Sequence, residues 1–402
     1  MGTKVARPSG LDRALSCAAL GIATAGLVLL RPSATLGVRL AECAVVTAVL
    51  AATLTITTRR GLVRTSAWGA VVVGFAGAVA MATLLGDAVV SARSVIGAVA
   101  STVGLAAALT LTGSGVAALW RSVRPRRRWL AVPVALVLLQ LVAQPTVVGV
   151  LASARHPIPA PDLTPASRGL AFEDVRLTTS DGVTLGAWHV PADGDAAIVL
   201  LHGAGTTRVS TLAHAEVLHG CGYGVLMVDA RGRGDSGGLP MELGWFGEQD
   251  VRAGVDALAQ RYERIGLVGL SMGGEQALTA AAHDERVRVV VAEGVGVRTA
   301  ADVPDPGALE RFVTAIGTGI ADVLSAAHPP EPLRDAVGRL APRPVLLIAG
   351  GGEQREAEWL REAAPDAVVV EHRPGFPHTG ALARDPSWWR TTVCGALDGA
   401  LR

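Results

Sequence analysis

The sequence predicts a chain in two parts: an all-α bundle of transmembrane helices, then an α/β domain whose mostly parallel sheet carries helices on both faces. Three observations lead there. The composition is 50% hydrophobic but only 4% aromatic, and Ala, Gly, Val and Leu carry the apolar content, which suits lipid-packed helices with small-residue contacts better than one large soluble core. The net charge of +1 conceals an asymmetry: between Leu11 and Ser153 the acidic residues are Asp12, Glu42 and Asp87, whereas Asp and Glu are frequent after Pro161. From residue 170 onward, short Val-rich runs alternate with helix-period patterns, as parallel strands joined by crossover helices do.

A spanning helix needs about 20 mostly apolar residues. Five runs qualify, Ala14–Leu30, Leu36–Thr57, Ala67–Val90, Ser94–Trp120 and Trp129–Ser153, within a helical region taken as 1–154. The first is short and follows Lys4, Arg7 and Arg13, as a signal-peptide core would. No small-residue cleavage site precedes Arg31-Pro32 and further spans follow, so a retained helix is preferred and the count is four or five. Lys and Arg alternate between loops: eleven lie at the N-terminus, at Arg59–Arg64 and at Arg121–Arg128, against Arg31, Arg39, Arg93 and Arg155 on the other side. Short basic loops stay cytoplasmic, so the expectation is a multi-pass protein of the cell membrane, its N-terminus cytoplasmic and its C-terminal domain outside. Arg39, Glu42 and Asp87 lie near span ends or pair at i,i+3, and are read as structural, not as a transport path.

Pro157, Pro159, Pro161 and Pro165 make 155–169 an extended linker. The α/β domain is then 170–402. Phe172–Thr179 and Val183–Pro191 flank Ser180-Asp181-Gly182 and predict an opening hairpin. Further strands are expected at Ala196–Leu201, Gly224–Val228, Ile265–Leu270, Val287–Ala292, Val345–Ala349 and Ala367–Val370. Helices are expected near Ser210–His219, Glu248–Tyr262, Met272–His283, Ala308–Ala327, Glu356–Ala363 and Trp388–Leu401. No 20–50-residue repeat stands out, which disfavours a solenoid. Of the four cysteines, Cys17 and Cys43 fall in apolar runs and read as packing residues; nothing in sequence shows whether Cys221 and Cys394 approach each other, and no disulfide between them is expected, since a bridge needs tightly specified geometry.

Gly269-Leu270-Ser271-Met272-Gly273 fits G-x-S-x-G, the bend that exposes a serine hydroxyl between a strand and a helix. Context decides, because Gly234-Asp235-Ser236-Gly237-Gly238 fits the same expression. Ser236 is separated from its strand by polar and glycine residues and is followed by Pro240, whereas Ser271 directly follows one apolar run and directly precedes an Ala-rich helix pattern. Ser271 is therefore the candidate nucleophile.

Four segments together resemble the α/β-hydrolase family, especially the membrane-tethered or secreted hydrolases related to serine aminopeptidases, prolyl-oligopeptidase-type domains and dienelactone hydrolases. They are Leu201-His202-Gly203-Ala204-Gly205, Asp229-Ala230-Arg231-Gly232-Arg233-Gly234-Asp235-Ser236, the Ser271 bend, and Pro377-His378-Thr379-Gly380. The likeness runs from about Phe172 to the C-terminus and leaves out the bundle. It implies backbone donors for an oxyanion at Met272 and Ala204, and the chain order Ser, acid, His. His378 lies in the loop after the last strand and is the candidate base; His372 falls at a strand end, and His328 precedes the Val345–Ala349 strand. His202 and the Asp229–Gly237 segment read as loop-structuring. The acid is expected after Val345–Ala349, where Glu353 is the first choice and Glu356 the reserve. An insertion at 297–343 that includes Pro304, Pro306, Pro329, Pro330 and Pro332 is a candidate small cap.

The resemblance implies a serine hydrolase of esterase, lipase or peptidase type, cleaving an ester, thioester or amide in a small-molecule, peptide or acyl substrate. The alternatives are acyl transfer with the same three residues, or a non-catalytic binding module tethered to the membrane. No metal-ligand spacing, phosphate loop or basic stripe with interleaved aromatics is present in the C-terminal half, so no cofactor, metal or nucleic acid is expected; the lipid bilayer is the expected partner.

Overall fold

The computed structural model describes residues 63–91, 95–122, 128–153, 157–325 and 327–402. They divide into two compact units: the first holds the described chain before residue 157 together with residues 312–325, the second holds Pro157–Arg311 and Ala327–Arg402.

The first unit contains α1 (Val63–Ser91), α2 (Val95–Ser122) and α3 (Arg128–Ser153), which coincide with the last three predicted spans. Ala67–Leu85 in α1 and Ser101–Arg121 in α2 are long and apolar enough to cross a membrane, and Gln140–Ser153 of α3 is apolar as well. The predicted spans Ala14–Leu30 and Leu36–Thr57, with Arg39 and Glu42, lie outside the described residues. Helices α1 and α2 approach closely: a Cβ added to Gly115 would sit 2.8 Å from the Ala67 carbonyl. Small residues permit such close approach of two helices.

The second unit is built on an eight-stranded sheet ordered β1-β2-β4-β3-β5-β6-β7-β8. Strands β1 (Glu173–Thr178) and β2 (Thr184–Val190) form the antiparallel hairpin, and β2 pairs antiparallel with β4 (Gly224–Val228). From there β3 (Ala196–Leu201), β5 (Arg264–Leu270), β6 (Val287–Glu293), β7 (Val345–Ala349) and β8 (Val368–His372) continue in parallel. Between them run α4 (Leu212–Gly220), α5 (Gly247–Leu258), α6 (Met272–Ala282), α7 (Ala308–Leu324), α8 (Leu333–Leu340) and α9 (Gln354–Arg361), and α10 (Ala381–Arg384) and α11 (Pro386–Leu401) follow β8.

Side chains alternate across a strand, and here both faces are covered, so every residue of β3 is buried. Ala197, Val199 and Leu201 pack with α5, α6, α8 and α9 on one face. Ile198 and Leu200 pack with α4 and α11 on the other. Burial of each large side chain such as Ile198 or Leu200 contributes about 1.5–3 kcal/mol relative to exposure. Contrary to the expectation from sequence, Cys221, at the end of α4, and Cys394, in α11, are joined by a disulfide across 173 residues of chain, because the fold packs α4 against α11.

Candidate active site

Ser271 follows β5 without an intervening residue and caps α6, with φ 51° and ψ −120°. That conformation is strained for a residue with a Cβ and occurs where packing leaves the chain no alternative. The glycines either side show why: a Cβ on Gly269 would lie 2.2 Å from the Gly273 carbonyl oxygen, and one on Gly273 would lie 2.6 Å from that of Leu201. The Ser271 amide also donates to the Glu293 carbonyl at 2.7 Å, which ties the bend to the end of β6.

His378 stands in the loop between β8 and α10, and its Nε2 lies 3.0 Å from Ser271 Oγ. Its Nδ1 lies 2.7 Å from Glu353 Oε1. An ionised carboxylate accepts only, so this contact places the proton on Nδ1 and leaves Nε2 as the acceptor facing the serine hydroxyl. Glu353 is the residue before α9, and its other oxygen is buried without a hydrogen-bond partner. Glu356 lies in the first turn of α9 and makes no hydrogen bond or ion pair with His378. The structure thus brings Ser271, His378 and Glu353 together and leaves Glu356 apart.

Met272 is the first residue of α6, where an amide has no carbonyl partner within its helix. Ala204 lies in the loop after β3, beside Gly203, at which an added Cβ would touch Ser271 Cβ at 3.4 Å. That loop is pinned from three sides. His202 accepts from the Ala230 amide through Nε2 at 3.1 Å and donates to the Gly203 carbonyl through Nδ1 at 2.8 Å. Thr206 donates to the same carbonyl, and Glu242 accepts from the Gly205 amide. Burial pushes the His202 imidazole below its ordinary range, and both its ring nitrogens are hydrogen-bonded, one to the Gly203 carbonyl and one to the Ala230 amide.

The Asp229 segment is a network of the same structural kind. Buried Asp229 accepts from the Arg208 amide, the Arg208 guanidinium and the Asp235 amide. Arg208 stacks on Trp188 at 3.9 Å. Ser236 donates to the Asp229 carbonyl at 2.7 Å and accepts from the Gly186 amide, so its hydroxyl is held in a turn.

Sequence reasoning missed Glu293. It ends β6 and is 3% exposed, accepting from the Ala381 amide at 2.9 Å and Trp389 Nε1 at 3.0 Å. It therefore fastens the chain just after His378, and burial raises its pKa. The only signal was a carboxylate at the polar end of an apolar run, which reads as a strand terminus. A cavity of about 450 Å³ lies further along α6, walled by Trp245, Phe246, Thr279, His283 and Arg298. Ser271, His378 and Glu353 do not line it. Among the described residues, no group of three His, Cys, Asp or Glu is placed to hold a metal ion.

A parallel sheet, a serine on a strand-to-helix bend and a histidine in the loop after the last strand define a hydrolase of α/β type. Comparison with known proteins agrees. Residues 192–336 match the family model described as serine aminopeptidase, S33. An uncharacterized protein of Mycobacterium tuberculosis is 30% identical over 243 residues, a match that covers 55% of this chain and 76% of that protein. An alpha/beta hydrolase domain-containing protein of Arabidopsis thaliana is 26% identical over 251 residues, covering 58% and 80%. The chain belongs to the α/β-hydrolase family. An esterase of Pyrococcus furiosus shares the fold, with a TM-score of 0.50 at 23% identity over 61% of this chain and 98% of the esterase.

Proposed function

We propose that this chain is a membrane-anchored serine hydrolase that cleaves an ester, thioester or amide bond through an acyl-Ser271 intermediate. The observation that carries the reading is the contact of His378 Nε2 with Ser271 Oγ at 3.0 Å, with Glu353 behind the ring. In this mechanism His378 takes the Ser271 proton as Oγ bonds to the substrate carbonyl carbon, and the carbonyl oxygen becomes an oxyanion facing the amides of Met272 and Ala204. His378 then gives the proton to the leaving group as its bond to carbon breaks. Water attacks the acyl-serine, losing a proton to His378, and Ser271 recovers it as the acid product departs. Glu353 holds the imidazole tautomer and stabilises the imidazolium formed midway.

A fluorophosphonate probe labels the wild-type chain, and Ser271→Ala abolishes the label and lowers turnover by about a thousandfold or more. Strong labelling that survives the substitution rejects Ser271 as the nucleophile.

The anchor is the N-terminal region, with the N-terminus in the cytoplasm and the hydrolase outside. Supporting this are the two apolar helices long enough to cross a bilayer, the one-sided placement of Lys and Arg in the loops, and the disulfide between Cys221 and Cys394, a bond typical of oxidising compartments. A C-terminal reporter active only in the cytoplasm overturns this orientation.

A further inference from the structure

The insertion between β6 and β7 contains α7, whose residues from Phe312 on belong with α1–α3 and not with the hydrolase unit from which they emerge. The chain leaves that unit after Arg311 and re-enters it at Ala327. Both ends of this segment thus join the same unit, and the segment cannot carry the chain across a bilayer.

One face of the helix touches α1 and α3. Leu324 and Ile320 pack with Ala80, Met81 and Leu84 near the end of α1 and Val150 near the end of α3. A Cβ on Gly149 would strike the Gly317 carbonyl at 2.7 Å and Ile320 Cβ at 2.8 Å, so the backbones of α3 and α7 approach as small residues allow. These partners occupy the C-terminal halves of α1 and α3, the half of α3 nearest the linker to the hydrolase unit.

Another face of α7 is exposed. Leu309, Phe312 and Val323 are 58%, 55% and 69% exposed, and at 100° per residue they form one stripe with half-buried Ile316. Arg311, Thr314, Thr318 and Asp322 fall on a different face. In α2 and α3 the apolar side chains Val103, Leu109, Val116 and Val148 are exposed as well. The foot of the insertion meets the catalytic loop: Arg355, two residues past Glu353, donates to the Pro304 and Asp305 carbonyls and lies 3.9 Å from Glu310.

We propose that α7 is an interfacial helix seated in the same bilayer as α1–α3, with Leu309, Phe312, Ile316 and Val323 among lipid acyl chains, and that the hydrolase acts on an acyl substrate presented by that bilayer. This rests on the reading of α1–α3 as membrane helices. A helix of 17 residues is about 25 Å long, long enough to lie along the interface with its polar face to water and its apolar stripe among acyl chains. Its foot on the Glu353 loop couples that lipid contact to the site.

The test uses the full chain with Cys17→Ser and Cys43→Ser, reconstituted in phosphatidylcholine–phosphatidylglycerol vesicles. The fluorophore NBD is placed singly through Phe312→Cys, Val323→Cys, Thr318→Cys or Val116→Cys, and doxyl lipids are the quencher. Positions 312, 323 and 116 are expected to be quenched and 318 spared, with shallow doxyl groups more effective than deep ones at 312. Quenching at 116 without 312 and 323 overturns the seating of α7 alone. Absence of quenching at 116 as well overturns the membrane reading with it. Crosslinks from 312 to a second copy, without lipid quenching, assign the stripe to that copy and overturn the proposal.

A second arm needs no label. The double substitution Phe312→Glu and Val323→Glu is expected to leave hydrolysis of a soluble short-chain p-nitrophenyl ester unchanged, while hydrolysis of a long-chain ester held in vesicles falls by about tenfold or more. Equal loss on both substrates overturns the link between lipid contact and catalysis.

Discussion

At the scale of single residues, the site depends on a serine held in an unfavourable conformation. A side chain at φ 51° costs about 1–3 kcal/mol, and the surrounding glycine contacts make up that cost by leaving no relaxed alternative. Thr379, next to His378, also has φ 51°, so the backbone is constrained at Ser271 and beside His378. The two glutamates after β7 can be separated by experiment. Glu353→Gln is expected to lower kcat by about 10²–10⁴-fold, because an amide can present its NH2 to Nδ1 and favour the wrong tautomer. Glu356→Gln is expected to stay near wild type, since Glu356 does not reach His378. Steady-state kinetics on a soluble ester checks both, and the reverse ranking would reassign the acid. Ser271 and His378 were legible in the sequence because each is fixed by its neighbours in the chain, a strand before and a helix after, or a loop beyond the last strand. Glu293 was not, because its partners Ala381 and Trp389 lie 88 and 96 residues away.

At the scale of elements, runs buried on both faces gave the clearest signal. Strands β3, β4 and β7 fall where the apolar runs place them, and β5, β6 and β8 differ only at their ends. β8 extends to His372 because it pairs with β7 through Ala349, an inter-strand bond that one segment's hydropathy does not reveal. The packing of α4 on α11 gives a pH dependence. His214 of α4 stacks edge-on against Trp389 with ring centroids 5.2 Å apart, and neither ring nitrogen has a hydrogen-bond partner. Burial pushes this imidazole down to about 4 from its ordinary 6.5. A depressed histidine binds its proton more readily unfolded than folded. The stability it allows is therefore complete above pH 6.5 and is lost as pH falls towards 4, by up to about 3 kcal/mol. His214→Phe keeps the aromatic contact and removes the titration. The Tm of the detergent-solubilised variant is expected to fall less between pH 7 and pH 4.5 than that of wild type, and an identical fall would remove His214 from the acid response.

At the scale of the whole molecule, charge and covalent structure bear independently on the proposed orientation. Basic loops bias which side of the membrane a segment keeps, through insertion and not through stability. Disulfides persist in oxidising compartments, since cytosolic thiols are kept reduced, so the state of this pair tests the proposed orientation. The disulfide staples the turn after α4 to α11, the helix that also carries Trp389, and it closes 173 residues of chain. An outside domain therefore predicts that membranes prepared with free thiols blocked yield the Cys221 and Cys394 peptides as one linked species, separating only after reduction. It also predicts that Cys394→Ser lowers stability by about 2–5 kcal/mol, read as a reduced Tm, because the unfolded chain regains freedom that the crosslink removes. Recovery of both cysteines singly alkylated from native membranes would place the domain in a reducing compartment, against the orientation drawn from the arginines. That outcome would leave the geometry of Ser271, His378 and Glu353 untouched, because no atom of the disulfide takes part in it.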